Sequence, residues 1–152
     1  MLYNLVMQVA NVRALAAGLD RLTYWMRRNT PQAVSASTIT TLDRLATEGP
    51  LRVSDLAARE GMTQPGVTIL VNRLAEAGYA ERVPDPTDRR AALVRITEAG
   101  RAVLADRIAR RAQLLRERLA QLSTEDQDLL VAALPAIERL VATDSSSRKA
   151  RT

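Results

Sequence analysis

Apolar residues recur at three- and four-residue steps from the start of the chain: Leu2, Leu5, Val6, Val9, Val12, Ala16, Leu19 and Leu22. That period predicts an amphipathic helix reaching about Arg28, with one face in need of a partner. "RNTPQAV" breaks the pattern, and Ser35 stands where a cap is wanted before Ile39, Leu42 and Leu45, a second helix that Gly49-Pro50 ends. Ser54 can cap a short third helix, "DLAARE", closed by Gly61. Thr63 can cap a fourth, "QPGVTILVNRLAEA", with Pro65 in the first turn where a missing N–H is harmless, and Gly78 ends it.

The period then switches. "YAERVP" and "AALVRIT" read as strands, and in the second Ala92, Val94 and Ile96 alternate with Leu93, Arg95 and Thr97. "DPTDRR" between them is a polar hairpin tip, in which Pro and Asp are explained by turn chemistry and the adjacent arginines are not. Thr97 caps a fifth helix with the near-heptad stripe Leu104, Ile108, Ala112, Leu115, Leu119, Leu122. Ser123 with Asp126 opens a last helix carrying Leu130, Leu134, Ile137 and Val141, where Pro135 predicts a kink or break because it removes a bond to the Val131 carbonyl. "SSSRKART", Ser-rich and charged, predicts a disordered tail over 145–152.

Composition narrows the chemistry. Without Phe, and with rings only at Tyr3, Tyr24, Trp25 and Tyr79, the core must pack Leu, Val, Ile and Ala. The absence of Cys and His removes disulfides, thiolate sites and the commonest acid-base and zinc-binding side chain, while Asp43, Asp55, Glu60, Glu76 and Glu81 are scattered singly. An enzyme is therefore not expected, nor any cofactor or metal. The N-terminus lacks a basic n-region and a cleavage pattern, and no run approaches a membrane span, so a cytosolic protein without membrane contact is expected. The formal charge of +5, carried almost wholly by arginine, favours a polyanionic partner, although ordinary surface charge gives the same number. Placement has to decide.

Two helices joined by a tight Gly turn and followed by a hairpin form the pattern of a winged helix-turn-helix. Ala57 offers a small side chain at the helix crossing, Gly61 four residues later suits a left-handed turn, and Val67 plugs the joint, with Leu56, Met62 and Leu70 as further core contacts. On the fourth helix Val67, Leu70, Val71 and Leu74 form the buried stripe. Gln64, Thr68 and Asn72 then share another face beside Pro65, Ile69 and Arg73. Gln and Asn can pair bidentately with adenine and Thr can touch a thymine methyl; the plain alternative is a solvated helix face. At the hairpin tip Arg89 or Arg90 can enter a minor groove, with Asp88 holding the Arg90 guanidinium through a forked ion pair; the plain alternative is a solvated turn.

The block "LAAREGMTQPGVTILVNRLAEAGYAERVPDPTDRRAALVRITEAGR", Leu56 to Arg101, with its Asp88-x-Arg90 wing and the Ile-Thr-x-x-Gly that opens the next helix, resembles the MarR-type multiple-antibiotic-resistance regulators. The resemblance implies a mainly α fold with a small β-hairpin wing and a helical dimerisation region. It implies an obligate homodimer in which the first and last two helices interlock, presenting its winged domains to a pseudo-palindromic double-stranded operator. It also implies repression, relieved by a small anionic or phenolic ligand bound between the dimer region and the winged domain. Members that sense oxidants through a cysteine are excluded as models, since this chain has none.

The resulting expectations are a dimerisation helix and linker over 1–34, a DNA-binding domain over 35–97, dimerisation helices over 98–144 and the tail. DNA contacts are expected from Ser54, Thr63, Gln64, Pro65, Thr68, Asn72, Arg73, Asp88, Arg89 and Arg90. Dimer contacts are expected from Leu2, Leu5 and Val9, from Leu115, Leu119 and Leu122, and from Leu130, Leu134 and Ile137. Tyr24, Trp25 and Met26 are candidate ligand contacts, against a plain reading as core. A rival class is a helical dimer that retains the winged fold but uses its basic face on an acidic protein.

Overall fold

A computed structural model describes the backbone of residues 2–31, 33–88 and 90–149, and the side chains of 10–31, 33–88 and 90–142. The elements follow the order α1 (Leu2–Asn29), α2 (Ala36–Glu48), β1 (Leu51–Arg52), α3 (Val53–Glu60), α4 (Gln64–Glu76), β2 (Ala80–Pro84), β3 (Ala92–Ile96), α5 (Glu98–Leu119) and α6 (Thr124–Lys149). Two compact units result, Met1–Ala112 and Gln113–Thr152. The first therefore holds the whole winged region together with α1 and the start of α5.

Capping accounts for most of the boundaries. Ser35 Oγ accepts the Thr38 N–H, Thr63 Oγ1 accepts that of Gly66, Thr97 Oγ1 accepts that of Gly100 and Ser123 Oγ accepts that of Asp126. Each satisfies a donor that the first helical turn leaves orphaned. Ser54 does not cap. The third helix starts two residues earlier than a Ser54 cap would require, because extended Arg52 at the end of β1 takes the cap position, and Ser54 lies exposed in the first turn. Gly61 ends α3 in the left-handed conformation, φ +64°, where its N–H meets the Ala57 carbonyl.

The hairpin is one strand richer than its pattern shows. β1 pairs antiparallel with β3 through Leu51–Val94 and Arg52–Leu93, and β2 pairs with the other edge from Ala80–Ile96 to Pro84–Ala92, giving the order β1-β3-β2. Leu42 and Leu45 of α2, Leu56 and Ala57 of α3, Val67, Leu70, Val71 and Leu74 of α4, and Val94 and Ile96 of β3 form one core. Met62, expected in that core, is 38% exposed; it follows the α3 cap, and its side-chain end lies near Gly66 in the first turn of α4. Between α2 and α3, Thr41 Oγ1 donates to the buried Glu60 carboxylate at 2.9 Å, and Arg44 lies 3.6 Å from the same carboxylate. A buried acid is tolerated here because both a hydroxyl and a cation face it.

In the second unit α6 continues unbroken through Pro135, so the expected break is absent, and it extends to Lys149. The tail expected from 145 is thus helical to that point: no Gly or Pro interrupts it, and Arg148 and Lys149 are good helix formers. Ala150–Thr152 lie outside the described residues. Among the described residues no helix is long and apolar enough to cross a membrane.

Candidate nucleic-acid interface

The buried stripe of α4 leaves its other face open. Gln64, Pro65, Asn72 and Arg73 are exposed, Thr68 is half-buried, and Ile69 between them is 55% exposed. The Thr63 cap presents the first turn of the helix, whose free N–H groups favour phosphate. Gly66 at the third helical position brings the backbone close to that cap, since a side chain there would meet Thr63 Oγ1 at 3.2 Å.

Local hydrogen bonds decide what each side chain can still offer. Thr68 Oγ1 donates to the Gln64 carbonyl at 2.9 Å, which leaves its methyl group and its acceptor lone pairs for a base edge. Asn72 Oδ1 accepts from Arg82 of β2 at 2.9 Å. Gln64 and Arg73 are uncommitted by any such bond among the described residues.

At the wing both aspartates act on the backbone. Asp85 Oδ1 accepts the Thr87 N–H at 2.8 Å and its hydroxyl at 2.6 Å, and Asp88 Oδ1 accepts the Arg90 N–H at 3.0 Å. The expected Asp88–Arg90 ion pair is not formed among the described residues; the carboxylate grips the Arg90 backbone instead, because the tight turn places that N–H within reach. Arg90 is exposed and takes part in no ion pair among the described residues. Arg89 lies outside the described residues.

Asp85, which belongs to a stretch that reads as wholly solvated, is 5% exposed. Arg52 Nε and Nη2 both bond its Oδ2, at 2.7 and 2.6 Å, tying the strand before α3 to the wing tip. The Thr87 hydroxyl and amide, then Arg52, hold the Asp85 carboxyl well below the usual aspartate range, and the same contact raises the Arg52 value. A depressed folded value means stabilisation that is full above the unfolded pKa of about 3.9 and lost as pH falls from there through the folded value. Asp85→Asn should therefore lower stability by a constant amount between pH 5 and 8. The gap to the parent should close below about pH 4, read by denaturant melts at each pH. A gap that already closes at pH 5 would refute this anchor.

Above the winged region, a cavity of about 390 Å³ opens within the first unit. Thr23, Arg27 and Thr30 of the α1 end, Ile39 of α2, Tyr79, and Val103, Arg107 and Arg111 of α5 line it. Tyr24, Trp25 and Met26 do not: helical spacing turns Thr23 and Arg27 to the cavity, and Tyr24 is 65% exposed, so it belongs to neither the cavity nor a core. Asp106 is bonded to Arg110 at 2.8 Å, and among the described residues it is the one acid on the wall. Arg27, Arg107 and Arg111 have no ion pair among the described residues. Arg111 Nε is buried without a hydrogen-bond partner, and desolvation followed by Arg107 lowers its pKa.

A helix pair whose second member shows a polar face, followed by a three-stranded wing with an exposed arginine, defines a winged helix-turn-helix DNA-binding protein. The MarR family signature matches residues 34–91. An HTH-type transcriptional regulator of Mycobacterium bovis is 34% identical over 128 residues, spanning 84% of this chain and 90% of the relative. A transcriptional regulator of Thermotoga maritima superimposes with a TM-score of 0.76 at 25% identity, over 88% of this chain and 98% of that one. A MarR family protein from Bacillus stearothermophilus shares the fold, with a TM-score of 0.60 at 21% identity over 93% and 98% of the two chains. The chain belongs to the MarR family of HTH-type transcriptional regulators, a family of DNA-binding and not of catalytic proteins.

Proposed function

We propose that this regulator is a homodimeric repressor that binds a pseudo-palindromic operator and is released by a small anionic ligand. The observation that carries the DNA reading is the exposed face of α4, where Gln64, Pro65, Thr68 and Arg73 stand clear of a core that consumes the opposite stripe of the same helix. Thr63 at the α4 cap and exposed Ser54 in the first turn of α3 can contribute hydroxyls to phosphates, and Arg90 reaches an adjacent minor groove.

Unpartnered apolar surface supports dimerisation. Val12, Leu15 and Leu19 on α1, and Leu130, Leu134 and Ile137 on α6, are 40% exposed or more. Leu122 is similarly exposed, and Leu115 and Leu119 are half-buried. Leu2, Leu5 and Val9 continue the α1 stripe, but their side chains lie outside the described residues. A second copy is the simplest cover for such stripes and doubles the positive charge offered to phosphate.

The cavity supports release by an anion. Its apolar wall of Ile39, Val103 and Tyr79 suits a ring, and the excess cations Arg27, Arg107 and Arg111 suit a carboxylate or phenolate. Such a ligand would relieve the mutual repulsion of Arg107 and Arg111.

Titration against the chain's own upstream duplex at several salt concentrations should give a steep log-log decline in affinity, and hydroxybenzoate should weaken binding further. Arg107→Glu should abolish the hydroxybenzoate effect while leaving operator affinity without ligand within about threefold of the parent. A flat salt response would favour an acidic protein as the partner of the basic face, and an undiminished response in the variant would remove the cavity from the mechanism.

A further inference from the structure

From the contact between Asn72 and Arg82 we infer that these two residues form a phosphate clamp at the rim of the DNA site, and that Asn72 is not a base reader. The inference rests on α4 being the DNA-reading helix. A guanidinium has donors only, so the amide atom of Asn72 that lies 2.9 Å from Arg82 Nη2 must be its carbonyl oxygen. The orientation of the amide is thereby set by its partner, where in isolation it would be ambiguous.

That orientation matters because bidentate recognition of adenine needs the amide oxygen to accept from N6 while the amide nitrogen donates to N7. The oxygen is already held by a cation. Its second lone pair stays open, but the guanidinium beside it disfavours the approach of a partly positive amino hydrogen. What the pair still presents is mainly donors, the Asn72 amide N–H groups and the remaining guanidinium N–H groups.

Position and charge both point to the backbone as the acceptor. Asn72 stands eight residues beyond Gln64, about 12 Å along the helix axis, whereas base edges are met by the N-terminal part of a recognition helix. Arg82 belongs to β2, the strand that leaves the helix, so the pair sits where the groove wall passes. Glu81, the nearest acid in sequence, is engaged by Arg95 at 2.8 Å and does not neutralise Arg82. Both residues are exposed.

Competition binding across a library of duplexes varied one base pair at a time tests the clamp. Arg82→Ala should weaken every duplex by a similar factor, about tenfold at low salt, and reduce the log-log salt slope by about two, one phosphate for each protomer of a dimer. Asn72→Ala should weaken binding by a smaller uniform factor and leave the base preference at every position unchanged. Gln64→Ala, by contrast, should flatten preference at one position in each half-site. Relaxed preference at a single base pair in Asn72→Ala, or an unaltered salt slope in Arg82→Ala, overturns the clamp while operator reading by α4 stands. Salt-independent binding by the parent protein overturns both.

Discussion

Gly100→Ala should destabilise the protein by about 2–3 kcal/mol and lower its unfolding midpoint by roughly 5–10 °C. A methyl group built on Gly100 falls 2.2 Å from the Tyr79 carbonyl oxygen and 2.8 Å from Ile96 Cγ1. The carbonyl cannot retreat freely, because it accepts the Thr97 N–H at 3.1 Å, and Thr97 Oγ1 donates to the neighbouring Gly78 carbonyl at 2.6 Å. Ile96 is part of the core. The start of α5 is thus stitched to the turn between α4 and β2, and a side chain at Gly100 would part the seam. Helix propensity works in the opposite direction, favouring Ala over Gly by about 1 kcal/mol, too little to offset overpacking of about 3 kcal/mol against backbone. Gly18 in α1 provides the contrast, since nothing lies within 4 Å of its added methyl group, and Gly18→Ala should be neutral or stabilising by up to about 1 kcal/mol. Equal melts for the two variants would contradict the packing described for the α5 junction.

The glycine that opens α5 lies in a stretch whose resemblance to the family was visible, yet its reason was not. Local signals of one or two turns were legible: the caps at Ser35, Thr63, Thr97 and Ser123, the left-handed Gly61, and the stripe Val67, Leu70, Val71, Leu74 each obey a spacing rule that needs no tertiary partner. β1 was illegible because two residues carry no alternation, and they become a strand only by pairing with β3 some forty positions later. Its presence in turn displaced the α3 cap from Ser54. Asp85 looked solvated because its partners are a local turn and an arginine 33 residues away, and pattern along the chain reports charge but not its compensation. The contact of Asn72 with Arg82 was illegible for the same reason, since Arg82, which bonds its amide oxygen, stands on another element. Arg107 and Arg111 fall off the apolar stripe of α5, and only the fold brings them to one cavity with Arg27 of α1.

Arg90→Ala should weaken operator binding by roughly a hundredfold at low salt while leaving the oligomeric state and the melting profile unchanged. A charge-assisted contact to DNA is worth about 1.5 kcal/mol or more, and a symmetric dimer loses it twice, about 3 kcal/mol in all. Folding should be indifferent because the part of Arg90 that the turn uses is its backbone N–H, bonded to Asp88, which alanine retains. The wing itself stays anchored through Asp85, Thr87 and Arg52, none of which touches the Arg90 side chain. Arg90→Lys separates charge from shape: an ammonium keeps the attraction to phosphate and groove but lacks the planar fork, so recovery to within about tenfold of the parent would indicate mainly electrostatic capture. Failure of Lys to rescue would indicate that the guanidinium's geometry is read, as expected for insertion into a narrow minor groove. Footprints should then contract at the flanks of each half-site while protection over the major-groove centre persists, because α4 and its Gln64 face are left untouched by the substitution. Undiminished affinity in Arg90→Ala would confine DNA contact to the helix and leave the wing a purely structural sheet.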